Sequence, residues 1–148
     1  MKKLIVASIL CLAATTAIAA EGLIEMKSAH NAADTGTRLL AALEARKLTL
    51  FARVDHAAGA KKIDKVLRPT EVFIFGNPAG GTPMMECAQS MGIDLPLKML
   101  VWQTADGNVM LGYNDPAWLA NRHGTACEQA VVNVSKVLDG IAKAVAGP

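Results

Sequence analysis

Apolar and polar positions follow two different periods along this chain, and the changes of period mark its elements. A short apolar segment at Leu23 to Met26 comes first. Asn31, with Asp34 three residues on, has the form of a helix N-cap, and Leu39, Leu40 and Leu43 then recur at helical spacing, predicting a helix up to about Lys47. From Leu48 to Asp55 the period shortens to two. Leu48, Leu50, Ala52 and Val54 share one side, which predicts a half-buried strand. Residues 57–67 read as a short helix closed by Arg68-Pro69. Glu71 to Phe75 is a compact apolar run before Gly76, the pattern of a central strand buried on both faces.

The second half is more heavily punctuated. Asn77-Pro78-Ala79-Gly80-Gly81 reads as a loop, after which Thr82 and Pro83 predict the cap and first position of a helix over 82–91. Asp94-Leu95-Pro96 interrupts again. Leu97 to Gln103 and Val109 to Tyr113 flank Asp106-Gly107, a hairpin signal. Asp115-Pro116 starts a short helix ending near Gly124. Ala130, Val134, Val137, Ile141 and Val145 form the apolar stripe of a last helix. The order β-α-β-β-α-β-β-α-α predicts an α+β fold, a mostly antiparallel sheet covered by helices.

The first residues change the picture of where the chain acts. Met1-Lys2-Lys3, the apolar run Leu4 to Leu12 and Ala17-Ile18-Ala19 together read as a cleaved secretory signal over residues 1–19, too short to span a bilayer. Leu10 before Cys11 argues against a lipoprotein box. Residues 20–148 are then a single α+β domain, periplasmic or secreted, with no membrane association after cleavage. Lys2 and Lys3 account for the whole formal charge of +2, so the exported chain is neutral. Nucleic-acid binding is disfavoured, because a basic excess is what exchanges for counterions. Lys61, Lys62, Lys65 and Arg68, with Asp64 among them, read as a solvated face.

A set of short blocks carries a family resemblance. They are Arg53-Val54-Asp55-His56-Ala57-Ala58, Leu67-Arg68-Pro69-Thr70-Glu71, Phe75-Gly76-Asn77-Pro78, Gly81-Thr82-Pro83-Met84-Met85, Asp94-Leu95-Pro96-Leu97-Lys98, Val101-Trp102 and Tyr113-Asn114-Asp115-Pro116. In this order they resemble the bacterial family catalogued as domain of unknown function 302. The resemblance implies a TATA-binding-protein-like fold, β-α-β4-α with inserted helices, often a homodimer. It implies no DNA binding, since fold does not carry function. It brings no catalytic residues, and Cys87 and Cys127 are not part of the family pattern.

Candidate chemistry is sparse. His56, Arg53, Asn77 and Asn114 fall at predicted strand ends beside Gly and Pro turns, and they are the expected ligand-binding residues of an accessory protein that holds a small molecule or partner. An enzyme with His56 as acid/base is one alternative, although Asp55 and His56 equally suit the start of a helix. Met84, Cys87 and Met91 share a helix face and offer soft ligands for copper, the one cofactor considered, and the same spacing is that of a core stripe. His123 suits the C-terminal end of its helix electrostatically. Ser28, Ser90 and Ser135 lie in no Gly-x-Ser-x-Gly elbow, so serine hydrolase chemistry is not expected. Gly76 to Gly81 lacks the Lys-Ser/Thr pair of a phosphate loop. Asn133-Val134-Ser135, a glycosylation sequon, falls within a predicted helix. Cys87 and Cys127 are a disulfide candidate by compartment, and each also fits as a small core residue.

Overall fold

The computed structural model describes residues 20–148, so the secretory reading of residues 1–19 lies outside the described residues. Five strands form one sheet: β1 (Leu23–Lys27), β2 (Thr49–Asp55), β3 (Thr70–Gly76), β4 (Leu97–Gln103) and β5 (Val109–Asn114). The spatial order is β1-β5-β4-β3-β2, and every neighbouring pair is antiparallel. Helix α1 (Ala32–Ala45) follows β1, and α5 (Glu128–Ala146) closes the chain. Together they complete a β-α-β4-α frame. The insertions are α2 (His56–Lys61), α3 (Pro78–Cys87) with a 3-10 turn at Gln89–Ile93, and α4 (Pro116–Arg122). The α+β expectation is therefore met.

One face of the sheet makes the core. Phe73, Phe75, Met99, Val101, Leu111 and Tyr113 alternate along β3, β4 and β5 and are buried, meeting Leu39 and Leu43 of α1 and Val134, Leu138, Ile141 and Val145 of α5. Burying one such side chain contributes roughly 1.5–3 kcal/mol. Val72, Ile74, Leu100, Trp102 and Met110 occupy the alternate positions and are only half-buried. The expectation of a β3 buried on both faces is thus corrected: it lies one strand from the edge, and helices cover one face. The loop Thr104–Asn108 closes the β4–β5 hairpin, with Gly107 at φ +84°, where a side chain would be strained.

Four other expectations shift. β2 is an edge strand and largely exposed, and its strict alternation breaks because Phe51 forms a bulge between Leu50 and Ala52. α2 ends at Lys61, and residues 62–69 are exposed chain leading into β3. α3 begins at Pro78, capped by Asn77, which places Pro83 inside the helix instead of Thr82-Pro83 at its start. Pro78 already satisfies the first-position rule, so Gly80 and Gly81 are helical. In α5 the buried stripe runs through Leu138, while Val137 is 39% exposed. The sequon Asn133–Ser135 lies mid-helix as expected.

Candidate functional site

A cleft of about 620 Å³ opens where the ends of β3 and β4 meet α3 and α5. Asn77 fixes its mouth: the side-chain Oδ1 accepts the Gly80 N–H at 2.8 Å, turning the chain sharply from β3 into α3. Leu48 and Phe51 wall it on the edge-strand side, Leu95 and Leu97 at the start of β4, and Val134 and Val137 on α5. The lining is mainly apolar, with Asn77, Thr82 and Asn133 as its polar side chains. Pro83 has no N–H to offer the Ala79 carbonyl one turn earlier, so Ala79, another lining residue, presents a backbone acceptor at the rim. The Asn77 side-chain amide N–H2 donates to no protein group among the described residues. Asn77 and Ala79 thus place a donor and an acceptor on the first turn of a helix that borders an apolar hollow.

Lys98 braces the floor. Its Nζ donates to the carbonyls of Asp94 (2.7 Å) and Pro96 (2.9 Å), holding the turn that carries Leu95. Burial pushes its pKa below the ordinary lysine value, and the nearby Asp94 charge offsets this only in part. On the far side, Cys87 and Cys127 are joined in a disulfide that ties the end of α3 to the residue preceding α5.

The four residues expected to share a pocket do not come together. Asn77 lines the cleft. Asn114 is exposed toward the same end of the sheet but lies across β4, two strand spacings sideways and three residues back along the strands, roughly 14 Å from Asn77, and pairs with Leu23. Arg53 and His56 lie toward the opposite end: Arg53 pairs with Phe73, roughly 13 Å along β3 from Asn77, and His56 follows Asp55, whose partner Glu71 is roughly 20 Å along it. Arg53 donates to both Glu71 oxygens (2.7 and 3.0 Å) and stacks 5.0 Å above the Phe73 ring. The hydrogen bond to Glu71 raises its pKa further and outweighs the desolvation that opposes it. His56 is exposed at the first position of α2, and Asp55 caps that helix by accepting the Ala58 N–H at 2.8 Å. Among the described residues His56 does not line the cleft and hydrogen-bonds to no other side chain.

The residues of the copper alternative are placed as follows by the fold. Met84 and Met91 are 0% and 1% exposed within the core, and Cys87 is bonded to Cys127, so no thiolate faces the two thioethers. Among the described residues, no group of three or more His, Cys, Asp or Glu side chains could hold a metal ion.

Sequence reasoning missed most of the cleft wall, because Leu48, Phe51, Leu95, Val134 and Val137 each read as ordinary core or strand positions. It also missed a polar cluster at the 3-10 turn. There His123 bridges Ser90 and Asp94, residues 33 and 29 positions away. No spacing rule reaches across such separations.

Residues 24–145 match the family model described as Domain of unknown function DUF302. A stretch of 102 residues is 46% identical to the Fluoride-specific ion channel FluC 1 of Brucella suis biovar 1 (strain 1330), covering 69% of this chain and 40% of that protein. The Fluoride-specific ion channel FluC 2 of Brucella melitensis biotype 1 matches equally, over 69% of this chain and 38% of its own length. The chain therefore spans about two fifths of the length of these curated relatives. The crystal structure of an uncharacterized conserved DUF302 protein from Bacillus stearothermophilus superposes with a TM-score of 0.77, covering 85% of this chain and 99% of the other. At 16% identity, that likeness concerns the fold alone.

Proposed function

We propose that this chain, which belongs to the family described as Domain of unknown function DUF302, is an exported accessory protein that holds a small apolar molecule in the cleft beside α3. The observation that carries the reading is the cleft itself. Its volume of about 620 Å³ suits one small molecule, and its apolar walls meet a donor at Asn77 and an acceptor at Ala79. The ligand class that fits is a hydrophobic body with a single hydroxyl or amide head. The relatives named as fluoride-specific ion channels support an accessory role beside a membrane transport protein. We assign conduction to the part of those proteins that this chain does not span. The same reading includes export and a homodimer.

The test uses the mature protein and the fluorescent probe 1-anilinonaphthalene-8-sulfonate, with native mass spectrometry of the exported material for retained molecules. Val137 is partly exposed on the cleft wall, so Val137→Glu places a carboxylate there without opening the core. We expect saturable probe binding that weakens about tenfold or more in this variant, with the thermal midpoint nearly unchanged. Probe affinity equal in the two proteins would overturn the assignment.

A further inference from the structure

We propose that Ser90, His123 and Asp94 form a surface acyl-transfer site that hydrolyses small, unhindered esters. Ser90 stands on the 3-10 turn, Asp94 caps its end, and His123 closes α4. Ser90 Oγ lies 2.9 Å from His123 Nδ1, and His123 Nε2 lies 2.7 Å from Asp94 Oδ2. Arg122 Nη1 donates to both Asp94 oxygens, at 2.7 and 3.0 Å, which fixes the carboxylate behind the ring. The nucleophile is the accessible member of the set, and the two groups behind it are covered. Ser90 is exposed, whereas the His123 and Asp94 side chains are 9% and 14% exposed.

The hydrogen-bonding roles follow from the acceptors. Ionised Asp94 can only accept, so the ring proton of neutral His123 belongs to Nε2, and Nδ1 is left to accept from the Ser90 hydroxyl. The two ring nitrogens exchange the tasks they have in the familiar Ser-His-Asp arrangement, but each task is still filled. Attack by Ser90 Oγ on an ester carbonyl carbon passes the hydroxyl proton to Nδ1. When the tetrahedral adduct collapses, the carbon–alkoxide bond breaks and the imidazolium proton goes to the departing alkoxide. Water then attacks the acyl-serine by the same proton path, releasing the acid and restoring Ser90. Ser90, Asp94 and His123 do not line the cleft, so the substrate meets them at the open surface. An elbow motif is therefore not needed to expose this serine.

The experiment treats the mature, disulfide-bonded protein with diisopropyl fluorophosphate, maps adducts by peptide mass spectrometry, and follows p-nitrophenyl acetate hydrolysis. We expect one adduct, on Ser90. Ser90→Ala removes the adduct and most of the hydrolysis. His123→Gln, which keeps a polar group against Asp94 and Ser90, slows labelling about 100-fold. Asp94→Asn, the positioning residue, lowers kcat for p-nitrophenyl acetate while leaving KM and the thermal midpoint nearly unchanged. An unlabelled Ser90 in folded protein would overturn the proposal. So would labelling at an unchanged rate in His123→Gln with its thermal midpoint preserved.

Discussion

Tyr113 is the sole tyrosine of the chain, which makes its environment directly measurable. It stands on β5 against the helices, 5% exposed, opposite Met99 and Ile24. Desolvation raises its pKa above the ordinary 10.0, and the charges of Asp139 and Asp115 add to the effect. For an acid raised on folding, the folded chain keeps its proton after the unfolded chain has lost it. Its contribution to stability is therefore complete below pH 10 and disappears as pH climbs through the folded value. Absorbance titration of the phenolate should give an apparent pKa above 10.0 in folded protein and a lower one in denaturant. Equal midpoints in the two states would refute this account. Met84 and Met91 make the same point from the apolar side. Their spacing alone admits both a metal box and a core stripe, and full burial decides for the stripe.

At the scale of elements, the disulfide between Cys87 and Cys127 joins α3 to α5, the two helices that flank the cleft. Closing a loop over a sequence separation of 40 restricts the unfolded chain by about 4 kcal/mol in the chain-entropy picture. The double variant Cys87→Ala, Cys127→Ala should lose stability of about that size in urea denaturation, and should bind the cleft probe more weakly. A midpoint within error of the parent would mean that the bridge adds nothing. Elements whose signals are local were legible in sequence: the caps at Asn31 and Asp115, the Asp106-Gly107 hairpin and the extent of α5. Those that failed depend on tertiary context. The start of α3 was expected at Thr82-Pro83, and it falls at Pro78 because Asn77 both ends β3 and caps the helix. The phase of α5 slipped by one residue because Val137 and Leu138 are equally apolar, and only the position of the sheet selects Leu138 for burial. The cleft was illegible for a related reason: separate chain segments supply its walls, and of its lining residues Asn77 alone was among the expected binding residues.

The whole molecule presents an uneven surface, and this bears on the proposed homodimer. Leu50, Phe51, Val54, Ile63, Val66 and Leu67 are all exposed, and all belong to β2 or the excursion that follows it. β2 is also a sheet edge, so among the described residues one row of its backbone N–H and C=O groups has no strand partner. A second copy pairing antiparallel along β2 would satisfy those groups and cover the apolar side chains by a single twofold operation. Centred on Val54, that pairing joins Arg53–Asp55, the last residues before α2, and sets Arg53 of one copy opposite Asp55 of the other, a favourable charge register. Edge lysines are the usual guard against such pairing, and β2 has none; the Phe51 bulge lies to one side of the proposed axis. Sedimentation equilibrium of the mature protein should therefore report twice the chain mass. Val54→Lys, which brings two ammonium groups face to face at the axis, should return it to one chain mass while leaving the sheet folded, because Val54 is already 40% exposed. A monomeric parent would remove the dimer from the functional reading, and a dimer indifferent to Val54→Lys would move its interface away from β2.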